Sequence, residues 1–268
     1  MSLSTFIRES RTRFTLDASK KELRAVHISN ILQKNDPHNL ADLVADRAPL
    51  YYREFDKVVD SLRSGYFLTA MRETLKRLPN SEHFQDSHFG EILASIFVED
   101  ILGLKKLYCK LSLNSAENQN AYKMDLLCYE EGSDPVNFIF CEVKSSNKHE
   151  SDGMPPKHDA SCYASIFDSL RTYNDGDQAF DLTTLKDRLE IFDEAEKARV
   201  KKSLLPYTVR NVGYIGIAVI DHSTYSVDEV PVLATRKSEK EFNVELLCVE
   251  QYKDTSSQVY SILEKLKG

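Results

Sequence analysis

Apolar residues recur at helical spacing between residues 49 and 76: Leu50, Phe55, Val58, Val59 and Leu62, then Phe67, Leu68, Met71 and Leu75. The run Leu78-Pro79-Asn80-Ser81 closes that region with turn chemistry. A second helix is predicted to start near Asp86 or Ser87, either of which can accept from exposed backbone N–H groups. Its stripe is Phe89, Ile92, Leu93, Ile96, Phe97 and Ile101, and it ends near Gly103. Glu91 lies beside that stripe. Gly90 costs helix stability by about 1 kcal/mol relative to Ala, which suggests close backbone packing at that point.

The period then shortens to two. Residues 107–113 alternate Leu107, Cys109, Leu111 and Leu113 with Tyr108, Lys110 and Ser112, which predicts a strand. Residues 114–120 are polar and read as a loop, and residues 122–129 as a second strand. Residues 130–135 carry strong turn signals. Residues 136–144 are apolar on both parities until their end, as in a strand covered on both faces. A polar, proline-bearing loop follows over 147–159, then helices over 160–173 and 185–202. Strands over 212–220 and 242–248 and a helix over 256–266 complete the chain. The first 50 residues mix short apolar clusters with polar breaks and assign no element. The order predicts an α/β fold, with residues 1–80 a mainly helical extension, suited to docking a partner, and residues 81–268 the core with a C-terminal helix.

Composition narrows the class. At 268 residues one large domain, or a core with an extension, is expected. The apolar runs fall well short of the ~20 residues that cross a bilayer, and no basic-then-apolar leader opens the chain, so a cytoplasmic protein without a membrane partner is expected. Thirty-five Lys and Arg against forty-two Asp and Glu leave a charge of −7. Such a chain does not gather nucleic acid by its overall field, so a groove or a partner must supply the positive potential. Five cysteines without zinc spacing fit buried thiols in a reducing compartment.

The charged interruptions carry the chemistry. Glu142 and Lys144, two apart at the end of an apolar strand, project from one face. Burying both costs several kcal/mol per ion unless each finds a partner, about the cost a catalytic site bears and a structural strand avoids. Asp125 breaks the preceding strand. In an antiparallel hairpin turning between Ser133 and Asp134 it faces Glu142; with the pairing shifted by two it faces Phe140, still beside Glu142. Two carboxylates suit Mg²⁺ or Mn²⁺, which polarise phosphoryl oxygens and generate hydroxide, and Lys144 can orient the attacking water. Glu91, from the upstream helix, is the fourth candidate, holding a metal-bound water or a second ion.

Glu91 on a helix, Asp125 on one strand and Glu142-Val143-Lys144 on the next resemble the PD-(D/E)xK, restriction-endonuclease-like nucleases, although Met124 stands where the motif's proline would be. The pattern His88-Phe89-Gly90-Glu91, with Asn114, Asp125 and Cys141-Glu142-Val143-Lys144, is similar to HamA, the nuclease subunit of the Hachiman anti-phage system. The superfamily motif covers only residues 91–144. The resemblance implies a core of helix, three strands, helix and further strands. It also implies a metal-dependent DNA nuclease with catalytic Glu91, Asp125, Glu142 and Lys144, working with a HamB-type helicase. Two alternatives remain on the same fold: a catalytically inactive binding subunit and a metal-dependent RNase. Lys148 and Lys157, in the loop after the motif, are candidate DNA contacts. His83, His88, His149 and His158 are set down as surface or capping residues in preference to ligands. With neither a glycine-rich phosphate loop nor a Gly-x-Ser-x-Gly motif, ATP hydrolysis and acyl transfer are not expected of this chain.

Overall fold

A computed structural model describes residues 1–9, 12–14, 23–53, 60, 63–113, 124–146, 162–185, 189, 191, 193–205, 207–225 and 240–266. The chain opens with a 3-10 turn, Leu3–Phe6, followed by strands β1 (Thr12–Phe14) and β2 (Leu23–Ile31). A two-stranded ribbon, β3 (Lys34–Asn35) and β4 (His38–Asn39), leads into helices α1 (Leu40–Arg47) and α2 (Pro49–Tyr52), then α3 (Phe67–Leu75) and α4 (Glu82–Asp100). Next come β5 (Lys105–Cys109), the short helix α5 (Lys110–Leu113), β6 (Leu126–Tyr129) and β7 (Asn137–Ser146). Helices α6 (Cys162–Thr172), α7 (Asp175–Leu185) and α8 (Glu194–Ser203) precede β8 (Asn211–Asp221), β9 (Phe242–Val249) and α9 (Tyr252–Lys265).

Seven strands form one sheet in the order β1-β2-β9-β8-β7-β6-β5. The central pairs β2/β9, β9/β8 and β8/β7 are parallel, while β7/β6, β6/β5 and β1/β2 are antiparallel. Alternation along β7 sorts its side chains. Ile139, Cys141 and Val143 enter a core shared with α1, α2, α4 and α9, whereas Phe138 and Phe140 enter a second core under α6, α7 and α8. Both faces are therefore covered, which explains why β7 is apolar on both parities. Close approach on each face needs glycine. A Cβ at Gly216 would lie 2.4 Å from Ile166 of α6, and one at Gly90 would lie 2.4 Å from the Cβ of Ser145. The packing reason anticipated for Gly90 is thereby met.

The α/β expectation holds, and several boundaries move. The N-terminal 80 residues are not a helical extension outside the core. Among the described residues, β1 and β2 are strands of the main sheet, and β2 pairs with β9 along its length. Helix α4 begins at Glu82, because Ser81 and not Asp86 or Ser87 is its cap, the Ser81 hydroxyl accepting from the Phe84 N–H at 3.5 Å. Its first turn is exposed, so no apolar stripe marks it. The predicted strand over 107–113 stops at Cys109, and Lys110 opens a helical turn. The helix predicted over 185–202 divides: α8 starts at Glu194, capped by Asp193 through the Glu196 N–H at 2.7 Å, and the residues up to Leu185 belong to α7. The loops predicted over 114–120 and 147–159, with Lys148, Lys157, His149 and His158, lie outside the described residues. All five cysteines are free thiols, and four of them are buried.

Candidate active site

The hairpin β6–β7 adopts the first of the two anticipated registers. Leu126 pairs with Cys141 and Leu127 with Phe140, so one step further along brings Asp125 level with Glu142. At that step β6 has not yet begun, and the Asp125 side chain supplies what the ladder lacks. Its Oδ2 accepts the Val143 N–H at 2.8 Å, and its carbonyl accepts the Lys110 N–H at 2.8 Å. Asp125 is thus 6% exposed yet fully engaged, as a buried carboxylate must be.

Glu142 is 5% exposed and projects to the α6 side of the sheet. Its Oε1 meets the Lys144 ammonium at 2.6 Å, and it accepts a hydrogen bond from Ser169 of α6. A cavity of about 220 Å³ opens beside it, walled by Met124, Ser169, Thr172, Tyr173 and Asp177. Burial, together with the nearby Asp125 charge, pushes the Glu142 carboxyl up to about 6, against the pull of Lys144. Burial works against the Lys144 ammonium, but Glu142 outweighs it and holds the lysine above its usual range.

Glu91 arrives from the opposite face. Helix α4 crosses β7 where Gly90 meets Ser145, so the next residue lies against the carboxyl-terminal half of β7, the strand that carries Glu142. The Glu91 Oε2 is shut away from solvent and has no hydrogen-bond partner among the described residues. Burial first, then the charges of Asp125 and Glu142, push this carboxyl up to about 8. Behind it Tyr52, from α2, meets His88 Nδ1 and the Tyr260 hydroxyl, each at 2.9 Å, and burial drops His88 to about 4. His88 is therefore a neutral, partly buried partner of Tyr52 inside α4, and not the surface or capping residue that the sequence suggested.

Asp125, Glu142 and Lys144 stand together at the hairpin, and the charges of all three act on Glu91. The reading missed a fifth. The Lys110 ammonium stands 3.2 Å from Asp125 Oδ1, and both side chains are mostly buried. Burial lowers the Lys110 pKa, and Asp125 more than restores it, so the net shift is upward. In the sequence Lys110 looked like an outward residue of an alternating strand. Nothing in that pattern shows that β5 ends one residue earlier.

The donor chemistry fits a hard divalent ion: three carboxylates, from α4, from just before β6 and from β7, act on one another, and one buried oxygen has no hydrogen-bond partner among the described residues. They are not a ready cage. Among the described residues no three His, Cys, Asp or Glu side chains are grouped to hold a metal, since Asp125 is turned to Lys110 and Val143, and Glu142 to Lys144.

Fold and site together define a mixed α/β protein in which Glu142, in the carboxyl-terminal half of central strand β7, and Asp125 beside it are each paired with a lysine. The chain belongs to the HamA family, whose family model matches residues 4–264, nearly its whole length. That membership points to a role in Hachiman defence. No curated protein sequence matches the chain. No helix among the described residues is long and apolar enough to cross a membrane.

Proposed function

We propose that the protein is a divalent-metal-dependent deoxyribonuclease, the cutting subunit of a Hachiman defence complex with a helicase partner. The carrying observation is that Asp125, Glu142 and Lys144 act together on Glu91, one of whose oxygens is buried without a hydrogen-bond partner among the described residues. Membership of the HamA family and the local order α4, β5–β6–β7, α6, β8 support a restriction-endonuclease-like reading.

In this reading Asp125 and Glu142 hold Mg²⁺ or Mn²⁺, with Glu91 behind them. The ion, when bound, supplies charge neutralisation at the phosphoryl oxygens and a more acidic water. Glu142 orients the Lys144 ammonium through its 2.6 Å contact. Lys144 in turn directs the attacking water and offsets charge gathering on the phosphorus. The strand end is where ligands of open α/β sheets enter, and helices on both faces keep bulk water from the buried carboxylates. The −7 charge accords with DNA being delivered by a partner. Because β2 belongs to the main sheet, deletion of residues 1–80 would remove a core strand. It therefore cannot serve as a test of where the partner docks.

The test is cleavage of duplex DNA, single-stranded DNA and RNA by the full chain, alone and with its helicase, in Mg²⁺, Mn²⁺ or chelator. DNA cleavage that requires the metal, and is lost in Glu142→Ala and in Lys144→Ala with folding intact, is expected. Full DNA degradation by the double variant overturns the assignment, and cleavage confined to RNA moves it to a ribonuclease. Well-folded wild-type protein that neither cuts nor binds Mn²⁺ leaves a binding subunit.

A further inference from the structure

Both oxygens of Asp125 are committed, one to a backbone amide and one to an ammonium. The two partners differ in freedom. Val143 N–H belongs to the central strand β7 and cannot withdraw without breaking the sheet. Lys110 has four rotatable side-chain bonds, its side chain is 18% exposed, and its own backbone N–H is anchored on the Asp125 carbonyl. The ammonium can therefore swing away while the main chain stays in place.

We propose that Lys110 is a positioning residue and the built-in counter-cation of Asp125, occupying the carboxylate oxygen that an incoming divalent ion needs, so that ion entry requires the lysine to leave. The inference rests on the metal-dependent reading above and adds a regulatory step to it. The closed site keeps its carboxylates neutralised from within and takes an ion only by exchange. Without Lys110 the buried Asp125 carboxylate would keep the Val143 N–H but lose its paired cation, a costly state, so Lys110 also stabilises the ion-free fold.

The experiment is titration of the full chain with MnCl₂ alone, read by calorimetry and by the electron paramagnetic resonance of free Mn²⁺, together with melting in chelator. Lys110→Met is expected to bind Mn²⁺ about tenfold more tightly than wild type, the effect of removing one positive charge a few ångströms from the ion. It should also melt lower in chelator. Lys110→Arg, whose fork can grip a carboxylate by two hydrogen bonds, is expected to bind Mn²⁺ more weakly than wild type without melting lower. Should Lys110→Met fail to fold, the arginine variant decides alone. Wild-type affinity in both variants, or weaker binding in Lys110→Met, overturns the counter-cation role. If wild type binds Mn²⁺ and Glu142→Gln does not, that failure is confined to Lys110. If wild type itself binds no Mn²⁺, the metal reading falls and this inference with it.

Discussion

Two glutamates are buried in the central sheet, Glu142 on β7 at 5% exposure and Glu245 on β9 at 3%. Their surroundings differ. Glu245 lies level with His27 of β2 and borders a polar-walled groove of about 620 Å³. Leu246 and Leu247 follow it, and both are core residues. Glu142 is followed two residues later by Lys144, stands level with Asp125, and feels Glu91 from the far face. Burial is therefore shared by the two glutamates and does not distinguish them. What marks Glu142 is its company: the Asp125 charge raises both Glu142 and Glu91, with Lys144 on the same strand and Lys110 on α5 beside these carboxylates.

Breaking that contrast most severely should be Glu142→Gln, expected to lower metal-dependent DNA cleavage at least about a hundredfold, the scale of losing one group that stabilises transition-state charge. Glu245→Gln, assayed alongside, should stay within about threefold of wild type; equal losses would erase the distinction. Next in size is Gly90→Ala. Its methyl would press on Ser145, at a cost of about 1–3 kcal/mol in chemical denaturation, and the added change Ser145→Gly should recover most of it.

A smaller effect concerns pH. Glu91, pushed up to about 8 chiefly by burial, keeps its proton in the folded chain where the unfolded chain has lost it. Between the ordinary glutamate range and about pH 8 the native state thus binds more protons, and stability falls as pH rises. Glu142, up to about 6, adds the same sign over a shorter span. His88, held down near 4, acts oppositely below its ordinary range. Melting in chelator should drop from about pH 6.5 to 8, above the histidine window, and Glu91→Gln should flatten that slope. Least of all should be Lys253→Ala. Its 3.7 Å pair with Glu82 at the exposed start of α4 is worth under about 0.5 kcal/mol, and cleavage should not change.

The site was legible because its cues are local. Turn residues between β6 and β7 set the register, and a period of two places Glu142 and Lys144 on one face. Glu91 was legible as a helical residue beside an apolar stripe, although only the glycine before it hinted that its helix touches the sheet. Lys110 was not, because strand alternation continues through Leu113 in the pattern while the chain leaves the sheet at Cys109. Strands β1 and β2 escaped for another reason: their partners and cover are set by tertiary context. Helix α7 was left unassigned in the sequence; it begins with Asp175-Gly176-Asp177, where the Asn174 side chain accepts from the Gly176 and Asp177 N–H groups.

The pairing of β2 with β9 has a kinetic side. Strand β2 finds its parallel neighbour β9 only after the long intervening chain from Ile31 to Phe242 has been made, and the central β8 likewise borders that later strand. Contacts so distant in sequence slow folding, and until β9 arrives the nascent sheet presents unpaired edges that invite association with other chains. Emergence of β9 is thus the moment at which β2 can first be joined to β8.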